Sequence, residues 1–420
     1  MNPGGNPSAP DNDRWALVGA NLIDPATHSV RRGGVLIEGG LIVAAGPDVG
    51  PDAIGTAEVV AAAGRYVMPG LIDTHLHLAF DGGPRPVERY LEDGIDPGLP
   101  SRMADAARMA LDSGATTIRD LGGPDGASFE LRDRLLHDRL LGPRLVAAGL
   151  VVAPPGGHCH FIARLTADPT DLVDAVRAQL DAGADCIKVM VTGGVHTPGS
   201  SSADTYYDLA ALAAAADLAH GHGRRITGHA TNTTGIERAI LAGFDSIQHG
   251  SALDDRLAGL AAARGLIVVP TLGTHAAMKE HLGDPGIPTY VAAAAERGSV
   301  GKVHAVRAAV TAGVSIAAGT DGGVTFVGHG ALARELELLR EQGLGAMATL
   351  AAATSIAAIE VDLADRIGRI APGYDADLIV LERDPLVDIR ALVRPVAVMR
   401  GGFTHAGAAL LQPAGGGAGR

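Results

Sequence analysis

Six residues of types that bind metal ions occur near the ends of predicted β-strands. They are His75 and His77 in PGLIDTHLHL, Lys188 in DCIKVMV, His229 in RRITGHA, His249 in DSIQHG and Asp321 in VSIAAGTD. Histidine nitrogen and carboxylate oxygen are accepted ligands of zinc. Histidines and aspartates scattered at random would mostly lie on helices and loops, so this shared position predicts a metal centre.

The spacing of His75 and His77 suits a shared ion. Alternate residues of a strand point to the same side, about 6.5–7 Å apart along it, so both imidazoles can face one ion. The alternative is that both are structural histidines on a strand. The four further ligand candidates favour the metal.

The position of Lys188 on a buried strand predicts that its side chain is modified. In CIKVM, strand alternation places Cys186, Lys188 and Met190 on one face. Burial of a lysine is costly and favours its neutral amine. A neutral amine can react with carbon dioxide to give a carbamate, whose two oxygens can bridge two divalent cations. A buried ion pair is the alternative interpretation.

The remaining three candidates are weaker when each is taken alone. His229 or His249 could be an ordinary histidine at the mouth of a barrel, and Asp321 could cap the N-terminus of a helix. The GT before Asp321 and the GG after it indicate a flexible turn that lets a carboxylate reach both metal and substrate. As a set, the residues favour ligation.

The elements that position these residues form two kinds of pattern. Between residues 67 and 366, eight strand-like runs alternate with Ala/Leu-rich helical stretches, which predicts an α/β fold with a (β/α)8 TIM-like barrel. A doubly wound open sheet is the alternative, but no glycine-rich dinucleotide fingerprint is present. The segment 274–290, THAAMKEHLGDPGIPTY, is a long insertion and a candidate lid.

The two chain ends have the composition of short strands. Residues 14–66 and 367–409 contain apolar runs broken by glycine turns, and we expect them to pair into one small β-sandwich domain. Residues 1–13 and 410–420 are rich in glycine and proline and are expected to be disordered.

Composition excludes several classes of protein. The chain has 420 residues, and 47% of them are hydrophobic. Its net charge of −13 argues against the cationic surface that a nucleic-acid binder needs. Two cysteines cannot form a disulfide framework, and no apolar run approaches a membrane span. The amino end lacks the features of a signal peptide. We therefore expect a soluble cytoplasmic enzyme with a small-molecule substrate, no nucleic-acid or membrane partner, and a homo-oligomeric state.

The motifs PGLIDTHLHL, KVMVTGGV, GHA, SIQHG, PTL and GTDGG, with the closing GRIAPGYDADLIVLERDPLVDI, resemble the amidohydrolase superfamily over about residues 17–402. The sequence is most similar to the prolidase-like, imidazolonepropionase-related branch of metal-dependent dipeptidases and amidases. True imidazolonepropionases use one metal and lack the bridging lysine, so Lys188 distinguishes this chain from them. The segment SSADTYYDLAAL departs from the Gln-Tyr-Ser type usual in prolidase-like members and leaves side-chain specificity open.

The resemblance implies two divalent ions, with zinc expected, and a carboxylated Lys188. The implied ligands are His75, His77, Lys188 and Asp321 for one ion, and Lys188, His229 and His249 for the other. We therefore predict a binuclear amidohydrolase that cleaves a C–N amide bond by a metal-bound hydroxide, with Asp321 as the catalytic base. The site is net positive and tolerates a substrate carboxylate, as in an Xaa-Pro type dipeptide or an N-acyl amino acid. The alternatives are a hydrolase of a xenobiotic amide, lactone or carbamate, ochratoxin-type conjugates included, and a non-catalytic paralogue.

Five further residues are candidate substrate contacts: His158, His160, Arg119, Tyr206 and Tyr207. The family's GGH motif points to His158, although the loop position supports His160 equally. Arg119 could meet a substrate carboxylate or form a structural ion pair, and the tyrosines could donate to a carbonyl oxygen or pack. Thiol catalysis is not expected, because Cys159 lacks a dedicated base and Cys186 lies on a buried strand.

Overall fold

The computed structural model describes residues 14–93, 97–124, 126–138, 142–168, 171–284 and 286–406, without the side chains of 294–300. The disorder expected for 1–13 and 410–420, and the last three residues of the predicted segment 367–409, lie outside these ranges.

Within the described ranges the chain forms eighteen strands and thirteen helices, together with short 3₁₀ turns. The strands are β1 (Arg14–Asp24), β2 (Ser29–Glu38), β3 (Leu41–Gly46), β4 (Glu58–Ala61), β5 (Tyr66–Pro69), β6 (Leu71–Leu76), β7 (Ala115–Asp120), β8 (Arg144–Ala147), β9 (Val151–Ala153), β10 (Ala163–Leu165), β11 (Cys186–Met190), β12 (Arg225–Ala230), β13 (Ser246–His249), β14 (Ile267–Val269), β15 (Ser315–Ile316), β16 (Leu378–Leu381), β17 (Ala397–Arg400) and β18 (Phe403–Ala406). The helices are α1 (Pro51–Ile54), α2 (Pro86–Asp93), α3 (Leu99–Asp112), α4 (Ala127–His137), α5 (Asp171–Asp181), α6 (Leu209–Gly221), α7 (Thr233–Leu241), α8 (Asp255–Arg264), α9 (Leu272–Glu280), α10 (Thr289–Ala312), α11 (Leu332–Glu341), α12 (Ala346–Ala352) and α13 (Ser355–Glu360).

Strands from both chain ends pair in one eight-stranded sheet. Its order is β18-β17-β16-β5-β1-β2-β3, with β4 paired to β1. The junction between the two ends is the antiparallel pair β5–β16, where Leu378 lies opposite Pro69. Alternate residues of these strands, including Leu22, Ile37 and Met399, bury their side chains in a common core. The strands of the two terminal segments thus pair in one sheet.

The predicted boundary between residues 66 and 67 falls inside a strand. The apolar run VMPGLIDTHLHL reads as one strand, but the structure divides it into β5, which belongs to the mixed sheet, and β6, which begins the parallel sheets. Gly70 separates them. A side chain there would place its Cβ 2.2 Å from Thr116 Oγ1, so the close approach of β7 requires glycine.

The ten remaining strands run parallel in two sheets, and β10 is an edge strand of the larger one. The sheet orders are β6-β7-β8 and β10-β9-β11-β12-β13-β14-β15. Backbone hydrogen bonds join the sheets at both seams: Asp185 N donates to Ala147 O, and His77 N donates to Gly322 O at 2.8 Å. The short strands β9 and β10 are not predicted from the sequence: the predicted run RLVAAGL ends at Leu150, and each of these strands has only three residues.

The insertion predicted after the seventh barrel strand, residues 274–290, contains most of α9 and the first two residues of the 24-residue helix α10. Helix α10 ends at Gly313, whose left-handed φ of 72° gives a common C-cap conformation. Met278 of α9 packs against Val291 of α10 in a small apolar cluster with Ile287 and Tyr290. Among the described residues, no helix has both the length and the apolar character needed to cross a membrane.

Candidate metal centre

The structure brings all six predicted ligand residues to one cavity of about 170 Å³. Each side chain comes from a parallel strand or from the loop that follows one, as expected for the catalytic face of a barrel. All are buried. The six are His75, His77, Lys188, His229, His249 and Asp321.

His75, His77 and Asp321 form the tighter part of the cluster. The Nε2 atoms of both histidines lie 3.3 Å from Asp321 Oδ1. Ligand atoms of His75, His249 and Asp321 all lie within 4.8 Å of one another, a spacing that can hold one metal ion. His75, within β6, and His77, the residue after its end, thus turn their rings to the same carboxylate.

His229 and His249 form the second part of the cluster. Their ring centroids are 4.6 Å apart, and His249 also lies 5.2 Å from the ring of His75. Lys188, on β11, is 1% exposed and lines the same cavity. His249 therefore connects the two histidine groups.

The second nitrogen of three of these histidines is held by a neighbouring oxygen. His77 Nδ1 lies 2.9 Å from Gly122 O, His229 Nε2 3.1 Å from Gly193 O, and His249 Nδ1 2.8 Å from Thr271 Oγ1. Such bonds orient metal-ligating histidines and fix which nitrogen faces the ion. The buried Nδ1 of His75 has no hydrogen-bond partner among the described residues. The donor set and its orientation therefore fit divalent metal ions.

The electrostatics of the cluster favour neutral imidazoles beside a carboxylate. Burial lowers the pKa of His229 to about 3 and holds the pKa values of His75 and His249 well below the usual range. Burial also acts to lower the pKa of His77, but the hydrogen bond and charge of Asp321 raise it overall. Metal binding requires neutral imidazole. The Asp321 carboxylate favours a positive charge in the space beside it.

Burial also lowers the pKa of Lys188, to about 7. The nearby Asp321 carboxylate opposes this change, but the loss of water around the ammonium has the larger effect. A substantial neutral fraction of Lys188 is therefore available near neutral pH, as carbamate formation requires.

Unusual backbone conformations concentrate around the cavity. Asp321, His249, Thr271 and Cys159 all have positive φ, with values of 60°, 70°, 49° and 57°. Residues other than glycine rarely adopt this region, and such strain clusters at functional sites. Gly319 lies against His75. A side chain at position 319 would place its Cβ 2.7 Å from His75 Cβ, so this close approach requires glycine.

Arg119 does not reach the cavity, contrary to its placement among the candidate substrate contacts. Its guanidinium forms a buried ion pair with Glu360 and donates to Thr74 O at 2.7 Å. Both side chains are at most 1% exposed. The structural ion pair, which the sequence left open as an alternative, is the arrangement observed, because the strand turns Arg119 towards α13 and away from the metal cluster.

Of the other candidate substrate contacts, only His158 lines the cavity. Its ring lies 4.4 Å from that of His229. The Tyr206 hydroxyl accepts a bond from His158 N and thus supports the loop, while the Tyr207 hydroxyl bonds Thr166 Oγ1. His160 bonds Gly157 O outside the cavity lining. The polar atoms of these three residues thus bond neighbouring loop residues and backbone, and their contact with substrate stays a prediction.

The cavity also contains residues that the sequence analysis missed. His196, His275 and Lys302 line it, and the buried His196 Nδ1 and His275 Nε2 have no hydrogen-bond partner in the part of the chain that the structure describes. His275 lies in the segment 274–290, and the prediction of that segment as a lid is the sequence feature that could have pointed to it. Lys302 lies on a helix whose sequence gives no hint that one turn faces the metal cluster.

Comparison with known proteins places the chain in a family. Residues 66–404 match the amidohydrolase family, to which the chain belongs. The relatives below place it in the prolidase-like branch and identify it as a hydrolase of amide C–N bonds. The resemblance inferred from its motifs is thereby confirmed.

The relatives cover most of the chain. Ochratoxinase of Aspergillus niger is 28% identical over 368 residues, which span 79% of this chain and 73% of that protein. A crystal structure of an Xaa-Pro dipeptidase with bound methionine has 27% identity and a TM-score of 0.84, covering 93% of this chain and 99% of the other. A prolidase structure complexed with N-methylphosphonate-L-proline has 28% identity, the same TM-score and the same coverage. These structures imply a TIM-like barrel with a β domain.

Proposed function

We propose that the chain is a binuclear metallo-amidohydrolase built on a closed (β/α)8 barrel. The observation that carries the proposal is the convergence of the six buried ligand candidates on one cavity. His75, His77 and Asp321 would hold one ion, His229 and His249 would hold the other, and Lys188 would contribute to both sites. Zinc suits this set of nitrogen and oxygen donors.

We propose further that Lys188 carries a carbamate. In forming it, the neutral amine attacks carbon dioxide, a C–N bond forms, and one amine proton is released. The support is its placement: Lys188 lines the cavity beside both histidine groups and lies on the strand next to that of His229. A carbamate provides two anionic oxygens where an ammonium would repel both cations.

When bound, the divalent ions supply Lewis acidity and lower the pKa of water. Asp321 then acts as the general base: its carboxylate takes a proton from the attacking water and passes it to the leaving nitrogen. We assign His158, which lines the cavity, the role of holding the carbonyl oxygen. Thr197 Oγ1 accepts from Cys159 N and lies 2.9 Å from His158 Nδ1, which favours a proton on the opposite nitrogen, Nε2, for donation to substrate.

The substrate class proposed is a small amide with a carboxylate on its leaving-group side, such as a dipeptide or an N-acyl amino acid. Thr274, His275 and Met278 of the insertion form one wall, and Phe80 and Val87 provide apolar surface. A cavity of about 170 Å³ suits a substrate of amino-acid size and excludes a folded protein. The prolidase structure with a bound phosphonate analogue of a proline dipeptide supports this class.

The metal content tests the centre directly. Purified protein reconstituted with zinc is expected to hold about two ions per chain, measured by elemental analysis after removal of free metal. A protein that retains no zinc under these conditions would contradict the proposal.

Capping the carboxylate tests the substrate class. We expect kcat/KM for a hydrolysed dipeptide or N-acyl amino acid to fall at least about tenfold, roughly 1.4 kcal/mol, when its carboxylate is converted to a carboxamide or methyl ester. The loss is expected because the net positive centre attracts the anion. Equal rates on the free and capped compounds would remove the carboxylate requirement.

A second candidate function is hydrolysis of a xenobiotic amide, lactone or carbamate. The observation that favours it is the 28% identity with ochratoxinase over 79% of the chain. A panel of dipeptides, N-acyl amino acids, aromatic amides and carbamates, ranked by kcat/KM, separates the two functions. No turnover of any compound by protein with two bound ions would instead favour a non-catalytic paralogue.

We also propose a cytoplasmic location and a homo-oligomeric state. Cys159 and Cys186 are buried free thiols, which agrees with a reducing compartment. Sedimentation of the purified protein tests the oligomeric state.

A further inference from the structure

Lys302 of α10 reaches the edge of the metal cluster. It is 7% exposed and lines the cavity. Its Nζ donates to Thr271 O at 2.7 Å, to Thr271 Oγ1 at 3.1 Å and to Thr274 Oγ1 at 2.9 Å. An ammonium has three N–H donors, and these three acceptors satisfy all of them.

Thr271 is held in a conformation that its residue type disfavours. Its φ of 49° is left-handed, which is uncommon for a β-branched residue. Lys302 binds both oxygens of Thr271, and on the other side the Glu335 carboxylate accepts from Leu272 N at 2.9 Å and Gly273 N at 2.7 Å. Two buried groups of opposite charge thus clamp this turn at the start of α9.

The clamped turn contacts a candidate ligand. Thr271 Oγ1 lies 2.8 Å from His249 Nδ1. When His249 Nε2 faces an ion, Nδ1 carries the proton and donates to Thr271 Oγ1, whose two lone pairs accept both His249 and Lys302. The position of this hydroxyl oxygen therefore sets the orientation of the imidazole.

We infer that Lys302 is a positioning residue for the metal centre, which acts by fixing Thr271 so that the Thr271 hydroxyl orients His249. This inference rests on the proposed binuclear centre. It assigns helix α10 a role in stabilising the geometry of one metal ligand. Direct anchoring of a substrate carboxylate by Lys302 is disfavoured because its three N–H groups are already bonded.

Two matched pairs of variants test the link through zinc binding. Thr271→Ala and Thr271→Ser both lack the threonine methyl and differ only in the hydroxyl. Lys302→Met removes the buried ammonium, and Lys279→Met removes an exposed positive charge from the neighbouring helix α9. Zinc dissociation constants are measured by competition with a chelator, alongside zinc per chain and circular dichroism.

We expect the weaker zinc site to lose about tenfold or more in affinity in Thr271→Ala and in Lys302→Met. The Ser variant should bind zinc at least about tenfold more tightly than the Ala variant, and Lys279→Met should match the wild type. Because both residues act in one chain of contacts, Lys302→Met should add little to Thr271→Ala.

Wild-type zinc affinity in Lys302→Met would overturn the inference while leaving the metal centre in place. The same holds if that variant keeps its zinc and only raises KM for carboxylate substrates, which would make Lys302 an anchor. If Lys302→Met does not fold, equal zinc affinities of the Thr271→Ala and Thr271→Ser variants would overturn the link. A wild-type protein that binds no zinc would overturn the proposed function as well.

Discussion

Asparagine in place of Asp321 is expected to lower kcat by about 10²–10⁴-fold, the usual contribution of a general acid–base group. The amide has nearly the shape of the carboxylate and keeps an oxygen towards His75 and His77, so substantial zinc should remain bound. It cannot take the proton from water. Kinetics and zinc analysis of the same preparation measure the two properties separately.

The control for this change is Asp362→Asn. Asp362 is exposed and has a φ of 59°, almost the same as the 60° of Asp321. Asparagine tolerates the left-handed region, so neither substitution should strain the backbone. The Asp362 variant should keep wild-type kcat. Near wild-type kcat in Asp321→Asn would exclude Asp321 as the proton carrier.

The ligand candidates could be predicted because strand geometry acts locally. His75 and His77 face one side by simple alternation, and Lys188 and His229 lie near the carboxyl ends of adjacent parallel strands. To predict that the ligand candidates lie together, only the order of the strands was needed, and the alternation of strands and helices in the sequence indicates that order. The family motifs then indicated which residues share an ion.

The substrate-facing residues could not be predicted in the same way, because loops and helices lack that simple alternation. Arg119 lies on a strand, yet its partner Glu360 is 241 residues away and nothing local marks the pair. Lys302 reaches the cavity because α10 packs against α9, a tertiary contact that its own sequence does not encode. Tyr206 and Tyr207 face loop partners for the same reason.

The predicted boundary between residues 66 and 67 does not coincide with the change of sheet, because one apolar run serves two sheets. In VMPGLIDTHLHL, hydrophobicity continues across Gly70, although the chain leaves the mixed sheet there and enters the parallel one. The turn depends on the approach of Thr116, a residue 46 positions later. Periodicity within the run cannot report such a contact.

Alanine in place of Lys188 is expected to remove the bridge between the two ions and to lower kcat/KM by at least about 100-fold. One ion contributes several kcal/mol of charge stabilisation to the transition state, and each 1.36 kcal/mol corresponds to tenfold in rate. Zinc content should fall below two per chain, because the second site keeps only His229 and His249. Thermal unfolding checks that the fold remains.

A small carboxylate should partly restore the Ala variant. Formate or acetate has the two oxygens of a carbamate and can enter the space that the shortened side chain leaves. Lys188→Met is the matched control, since its unbranched apolar side chain fills that space and leaves no room for the anion. We expect formate or acetate to raise zinc content and kcat/KM in Lys188→Ala and to change neither in Lys188→Met.

The same pair of variants separates a carbamate from an ammonium. If Lys188 acts as a carbamate, wild-type protein that is stripped of zinc and reconstituted in bicarbonate-free buffer should regain less zinc and activity than protein reconstituted with bicarbonate. An ammonium in a structural ion pair predicts no effect of bicarbonate and no rescue by formate. Wild-type activity in Lys188→Ala, or an unmodified amine distant from any ion in a crystal structure, would refute the bridge. Dependence on bicarbonate in the wild type, together with rescue by formate in the Ala variant alone, can arise only if an anion with two oxygens occupies this position.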